Sequence, residues 1–473
     1  MSEPERRSRP AYEIALLLAL GQEGCPICHQ VANSDDHYFF WFFNESCYEP
    51  HTLDALSRSL GFCLAHGGRL AGAYAGSYQL AAVHEVLVGR VRRRLSDRAD
   101  EAARDALMSY NRCPPCQDRA AQVERNAFWL AGILEDPSAA DRYANPGALC
   151  FPHLRVVLPR VSKTILERLL AVHEPAAAAA LESLTELRAE LGRSTFDGHQ
   201  DLIKTLLPFL HLAVGHEPGN NPYPFPDKER GEPRRDPVGD FLARLGRAEA
   251  CPVCLEVRGA WLEWTRWLDD AAHRDGDVDD LLPTCPEHAW PAVRQSGAFL
   301  AMATAQKALR AVLGQLRVGT QSLNPPPGPG HPRLVRRLRQ AVRGPRFRLR
   351  MAREALTRPL RCPVCDQLVL AGDRALALLF ALVEDRQHRA AFEGSYGLCL
   401  RHFSRALALE PPPQVRAVVA QVEAAKLARL GWELEESLRK VGWNFRPESK
   451  GTEQTAWRRA VVRFSGSLGG EAG

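Results

Sequence analysis

Apolar residues recur along this chain every three or four positions, over stretches of twenty residues and more. Between 73 and 107 they are Leu80, Val83, Val86, Leu87, Val91 and Leu95. Between 161 and 191 they are Ile165, Leu169, Leu181, Leu184 and Leu187. Between 415 and 441 they run Val415, Val418, Val422, Leu427, Leu430, Leu434, Leu438 and Val441. Steps of three, four and occasionally five place such residues on one face of an amphipathic helix. Shorter runs carry the same signature: Phe128, Trp129, Leu130 and Ile133; Trp261, Leu262, Trp264, Trp267 and Leu268; Ala375, Leu376, Leu378, Leu379, Ala381 and Leu382. The aromatic block Tyr38, Phe39, Phe40, Trp41, Phe42 and Phe43 reads as core rather than as a base-stacking platform. No stretch alternates with period two, so no sheet is expected. The pattern predicts an all-α fold.

The cysteines show that the helices belong to repeated units. Of thirteen, twelve fall in a pattern that occurs four times: C-P-x-C, a gap of 30 to 34 residues, then C-x-x-H. In chain order the sets are Cys25, Cys28, Cys63 and His66; Cys113, Cys116, Cys150 and His153; Cys251, Cys254, Cys285 and His288; Cys362, Cys365, Cys399 and His402. Histidine is 15 of 473 residues, so a His three places after a given Cys is expected about 3% of the time. Four such coincidences are not chance. Three thiolates and one imidazole are the donor set of a tetrahedral structural zinc site. Up to four Zn2+ are expected, each set taken as one site. A proline follows the first Cys of every C-P-x-C pair and preorganises a turn or a helix start. In C-x-x-H, positions i and i+3 share a face if the segment is helical.

Other chemistries are weaker. A thioredoxin-like motif needs no His thirty residues on. Cys25-Pro26-Ile27-Cys28-His29 matches a haem attachment, but Gln117, Leu255 and Asp366 follow the other pairs. An iron–sulfur cluster stays open at individual sites. Four protein ligands close a zinc shell and leave no position for water, so the metal is expected to stabilise the fold rather than to catalyse. No Gly-rich phosphate loop, G-x-S-x-G elbow or H-E-x-x-H motif is present.

Composition sets outer bounds. A chain of 473 residues, 45% hydrophobic and 25% charged, makes about three ordinary domains. No run of about 18 apolar residues predicts a membrane span. The opening MSEPERRSRP lacks the layout of a secretory signal, so a cytoplasmic location is expected, where thiols stay reduced. The net charge of +5 is too mild to imply nucleic acid. Twelve thiolates and four Zn2+ would bring it to about +1.

Two breaks organise the units. Residues 217–237 (EPGNNPYPFPDKERGEPRRDP) form a Pro, Gly and charge-rich linker, and 324–332 (NPPPGPGHP) a stiff Pro-rich break. The expected layout is a helical half over 1–216 with the first two sites, then the linker. A unit over 238–323 holds the third site. After the Pro-rich break, 333–465 holds a basic helix, the fourth site and a C-terminal helix, and 466–473 is a tail. Residues 333 to 361 include eleven Arg and one Glu. Arg333, Arg336, Arg337, Arg339, Arg343, Arg346, Arg348 and Arg350 form a candidate patch for an acidic partner or nucleic acid. Arginine supplies 54 of the 61 basic residues, so a solvated helix face, with Val335, Leu338, Val342, Phe347 and Met351 packed behind it, explains much of the run. His84, His173, His199, His211 and His216 read as core or surface residues, and Cys47 as a buried thiol.

The segment Ser395-Tyr396-Gly397-Leu398-Cys399-Leu400-Arg401-His402-Phe403 resembles the second half-site of a bacterial family of unknown function, which pairs C-P-x-C with a later S-x-G-L-C-x-x-H-F. Ser59-Leu60-Gly61-Phe62-Cys63-Leu64-Ala65-His66 is similar. So are Trp443-Asn444-Phe445-Arg446-Pro447-Glu448 and Trp457-Arg458-Arg459-Ala460 to that family's C-terminal signature. Pro283-Thr284-Cys285-Pro286-Glu287-His288 departs from it, lacking the Gly. The resemblance implies a helical metal-binding protein and supplies no reaction. The chain is thus expected to be a non-enzymatic zinc scaffold that meets a protein partner, without a membrane. The alternatives are a zinc-stabilised nucleic-acid binder and a thiol/zinc redox switch.

Overall fold

The computed structural model describes residues 11–20, 22–72, 76–96, 107, 111–136, 143, 149–191, 199–217, 236–246, 250–273, 278–324 and 344–467. Every regular element among them is helical, and the architecture is all-α, built from repeated helical units. The long periodic stretches form the helices Ser77–Ser96, Lys163–Leu191 and Pro413–Arg439. The apolar runs inside the repeats form Pro114–Leu134, Pro252–His273 and Pro363–Glu384. Each of these last three opens on the Pro of a C-P-x-C pair. A proline has no N–H to lose at the first helical position, and its φ is already helical.

The chain divides into two compact units. One comprises Met1–Ser34, Arg119–Pro218 and Trp267–Val364; the other comprises Asp35–Asp118, Gly219–Arg266 and Cys365–Gly473. Each takes three separate stretches of chain, so both sequence halves contribute to both units. Most of the linker 217–237 (218–235), most of the Pro-rich break 324–332 (325–332) and the start of the basic segment (333–343) lie outside the described residues.

Each unit has its own apolar core. In the first, Leu16, Leu130 and Leu154 bury with Leu166, Leu206, Leu210, Leu309 and Val312. The Ala298–Leu323 helix runs through it, with fourteen buried positions including Gln306 and Thr304. In the second, Phe42, Leu56, Leu80, Val88, Leu376, Phe403, Leu427 and Phe464 are buried together.

Two packing expectations need correction. Of the aromatic block, Phe39 and Phe42 are buried, but Phe40 and Trp41 are 61% and 54% exposed. A run of six consecutive residues on a helix must point in all directions, so it cannot all reach one core. In the basic segment, the helix Pro345–Thr357 buries Ala352 and Leu356 instead of Phe347 and Met351. Leu356 packs on Gly319, where an added Cβ would sit 2.7 Å from its side chain.

Candidate metal centres

All eight Cys-containing pairs are built the same way: each is the N-terminus of a helix. Cys25, Cys150, Cys285 and Cys399 are extended N-cap residues. The helices that follow the other four first cysteines start at Leu64, Pro114, Pro252 and Pro363. The carbonyls of Cys25, Cys63, Cys113, Cys150, Cys251, Cys285 and Cys399 accept the opening helical hydrogen bond, at 2.7 to 3.1 Å. The second ligand stands one turn later on the same side. Every cluster is therefore faced by two helix N-termini, whose partial positive charge favours thiolate over thiol.

The ligands converge in four groups, with all donor atoms of each group within 4.8 Å of one another. The groups are Cys25, Cys28, Cys150 and His153; Cys63, His66, Cys113 and Cys116; Cys251, Cys254, Cys399 and His402; and Cys285, His288, Cys362 and Cys365. The first lies in the first unit, and the second and third lie in the second. The fourth is the most open, with Cys365 exposed.

The sixteen residues are those read from the sequence, but the quartets differ from the chain-order sets. Each C-P-x-C pair meets the C-x-x-H pair of another repeat. The pairing is nested. In each half of the chain the first C-P-x-C joins the last C-x-x-H, and the two middle pairs join each other. In three of the four repeats a helix of 21 or 22 residues, Pro114–Leu134, Pro252–His273 or Pro363–Glu384, is about 30 Å long and carries the chain away from its own first pair. In the first repeat the chain turns through the shorter helices Pro26–Val31, Ser34–Trp41 and Pro50–Arg58 instead. Loop-closure entropy does not decide the matter. His66 meets Cys113 across 47 residues, and Cys28 meets Cys150 across 122. That difference costs only about 0.8 kcal/mol.

The distances are those of an ion-centred tetrahedron. With metal–sulfur bonds of about 2.3 Å, sulfurs stand about 3.8 Å apart and sulfur and nitrogen about 3.6 Å. Cys28–Cys150, Cys63–Cys116 and Cys254–Cys399 are 3.7, 3.8 and 3.7 Å apart. His153 Nδ1 lies 3.2 to 3.3 Å from the sulfurs of Cys25, Cys28 and Cys150. His66 Nδ1 lies 3.2 to 3.5 Å from its three sulfurs, and His402 Nδ1 3.3 to 3.6 Å. His288 Nδ1 is 3.2 Å from Cys285 and 3.8 Å from Cys362. No cysteine is in a disulfide, whose sulfurs would be about 2.05 Å apart.

Charge makes the same demand. Burial, and then the sulfurs of Cys25 and Cys28, push the Cys150 thiol far up. The Cys251 and Cys399 sulfurs do the same to Cys254, with burial adding to it. Three thiolates cannot share a buried space unless a cation sits among them. The residues therefore fit one four-coordinate metal ion per cluster.

Surrounding groups hold the ligands, and most of them carried no signal in the sequence. His66 turns Nε2 to the Asp35 carboxylate, 3.1 Å away. Burial pulls its imidazolium down, but Asp35 and the Cys113 and Cys63 sulfurs outweigh that and carry it to about 11. Such a carboxylate fixes which ring nitrogen faces the metal. His211 Nε2 lies 3.4 Å from Cys28 Sγ, so this histidine, read as core or surface, belongs beside the first cluster.

Tyr396, Gly397 and Leu398, which lead into Cys399, are gripped from behind. Arg463 donates to the Tyr396 and Leu398 carbonyls at 2.7 Å each. Leu398 N–H donates to Glu423 at 2.5 Å. The Gly in this motif and in Ser59-Leu60-Gly61 has a physical reason. Gly397 and Gly61 have φ of +81° and +72°, and a Cβ on Gly397 would meet Glu423 Oε1 at 2.5 Å. Gly466, with φ +79°, ends the Ala456–Ser465 helix against Cys254 and Cys399. Gly215 ends His199–Val214 against Cys150 in the same way.

Among the described residues, the remaining cysteine and histidines join none of the four clusters as ligands. Cys47 is buried in the second core. His84 and His173 are buried, and burial pushes both down to about 4. The side chain of His199 lies outside the described residues, as do Arg333, Arg336, Arg337, Arg339 and Arg343. Arg346 and Arg350 are exposed, and Arg348 is half-buried. No helix among the described residues is long and apolar enough to cross a membrane. No protein-family model, curated protein or solved structure matches the chain.

Proposed function

We propose that this chain is a non-enzymatic, zinc-stapled helical scaffold of a reducing compartment, whose surface meets a protein partner. One observation carries the reading: four Cys3His groups, with the donor atoms of each within 4.8 Å of one another, each join two helix N-termini from separate parts of the chain. Such a shell is filled by protein donors, so the ion is a structural one whose binding free energy adds to folding. Thiolate-rich donors with a single imidazole favour zinc over harder cations. The half-site resemblance supports the metal part of the reading and adds no reaction. The partner part rests on exposed aromatic side chains of the second unit. Trp443 is 81% exposed under the Arg446 guanidinium, and Trp432 is 61% exposed. Tryptophan and arginine are the side chains enriched at the hot spots of protein interfaces.

Native mass spectrometry of the purified chain tests both parts. The expected result is four zinc ions per chain, with any bound partner retained. Fewer than three, or a metal other than zinc, overturns the metal reading.

A further inference from the structure

Two helices of the second unit turn one face each into a shared groove that no metal ligand lines. On Pro50–Arg58 that face carries Asp54, Ser57 and Arg58; on Ser77–Ser96 it carries Arg90, Arg93 and Arg94. Both sets are spaced i, i+3, i+4, so each triad projects from a single side of its helix. The six residues line a cavity of about 420 Å³, within the roughly 300–1,000 Å³ range of small-ligand sites.

Four guanidiniums face one carboxylate there. Asp54 is matched by Arg90, whose Nη1 lies 2.7 Å from Oδ1 and also donates to the Leu53 carbonyl at 3.0 Å. Arg94 Nη2 donates to Ser57 Oγ at 3.2 Å. Its Nη1 is shut off from solvent and has no acceptor. Burial and the neighbouring Arg90 charge pull Arg94 below the usual guanidinium range. Arg58 and Arg93 are exposed and make no ion pair with a carboxylate lining the groove. Glu85 lies within electrostatic reach of Arg93 but does not line the groove. Packing like charges at i, i+3 and i+4 costs free energy that a solvated helix face could avoid by spreading them. A doubly charged oxyanion would offset that cost, since guanidinium forks match its oxygens in pairs. The buried Ser57 hydroxyl accepts from Arg94 and keeps its own proton to donate.

We propose that the groove formed by Asp54, Ser57, Arg58, Arg90, Arg93 and Arg94 is a binding site for a phosphate-type dianion. This is independent of the scaffold reading above, because no metal ligand lines the groove.

The test is calorimetric titration of the zinc-loaded full chain with inorganic phosphate and with glycerol 3-phosphate, at fixed ionic strength. Saturable 1:1 binding is expected. Arg58→Gln and Arg93→Gln, both exposed, should each weaken it about tenfold. Arg446→Gln, which removes the same charge elsewhere, should leave it unchanged. Phosphatidic acid vesicles form the second arm. If they bind as well, and Arg58→Gln abolishes it, the phosphate source is a lipid headgroup; if they do not, it is a free anion. The proposal is overturned if neither small anion binds, if Arg446→Gln weakens binding as much as Arg58→Gln, or if only vesicles or duplex DNA bind. Those results would describe a diffuse positive field without a built site.

Discussion

At the scale of single residues, the metal centres depend on side chains that are not ligands. Asp35 shows it best. It stands on a different helix from His66 and reaches only the far nitrogen of the ring. It contributes no bond to an ion, yet it orients one. Asp35→Asn should lower metal affinity about 10- to 100-fold at Cys63, His66, Cys113 and Cys116. The other three clusters should keep theirs. Chelator competition followed by native mass spectrometry reads this out; four equal losses would mean that Asp35 acts on the fold and not on the site. Glycines act at the same scale. Gly397 sits where a side chain would collide with Glu423, and Gly466 where one would press on two ligand sulfurs. In both places the backbone approaches too closely for a Cβ, and the φ is one that other residues adopt only at a cost of roughly 1–2 kcal/mol.

At the scale of elements, the repeated device is a cysteine at a helix N-cap with its second ligand one turn on. It brings two donors and a favourable dipole together without any long-range contact. Which two devices come together is a separate matter, set by how the helices pack. The nested pairing makes a sharp prediction about stoichiometry. Cys25→Ser with Cys150→Ser damages a single cluster, so the double variant should lose one metal ion. Cys25→Ser with Cys63→Ser damages two and should lose two. Pairing in chain order predicts the opposite for both doubles, and native mass spectrometry of the two variants separates the cases directly.

For the whole molecule, each compact unit has one apolar core and takes its helices from three distant stretches. Metal ions held by the four clusters would then serve as long-range ties between elements far apart in the chain. Removing them with a chelator should raise hydrogen exchange in both cores, at Leu206 and Leu309 in the first and at Leu376 and Leu427 in the second. A unit that stays protected without metal would show that its clusters are not part of what holds it folded. The charge balance bears on this too. Without cations, buried thiols such as Cys150 and Cys254 stay protonated. Each cluster then keeps its sulfurs without the tie between its two helices.

Period-3.6 patterning by itself determined that the chain is helical, because burying one stripe of a helix leaves a trace in neighbouring residues whatever the helix packs against. Cysteine and histidine spacing likewise determined which sixteen side chains form the clusters, because both donors of a pair lie within one helical turn. Tertiary structure alone decided the partners. Cys25 could be matched to Cys63 or to Cys150 from spacing alone, and only the packed arrangement of the helices selects Cys150. Tertiary structure also placed Asp35 on His66, Arg463 behind Leu398, and Asp54 and Ser57 opposite Arg90, Arg93 and Arg94. Each of these is a meeting of elements far apart in the chain or on separate helices, and such contacts are set by packing across the core, which leaves no periodic mark on the sequence of either partner.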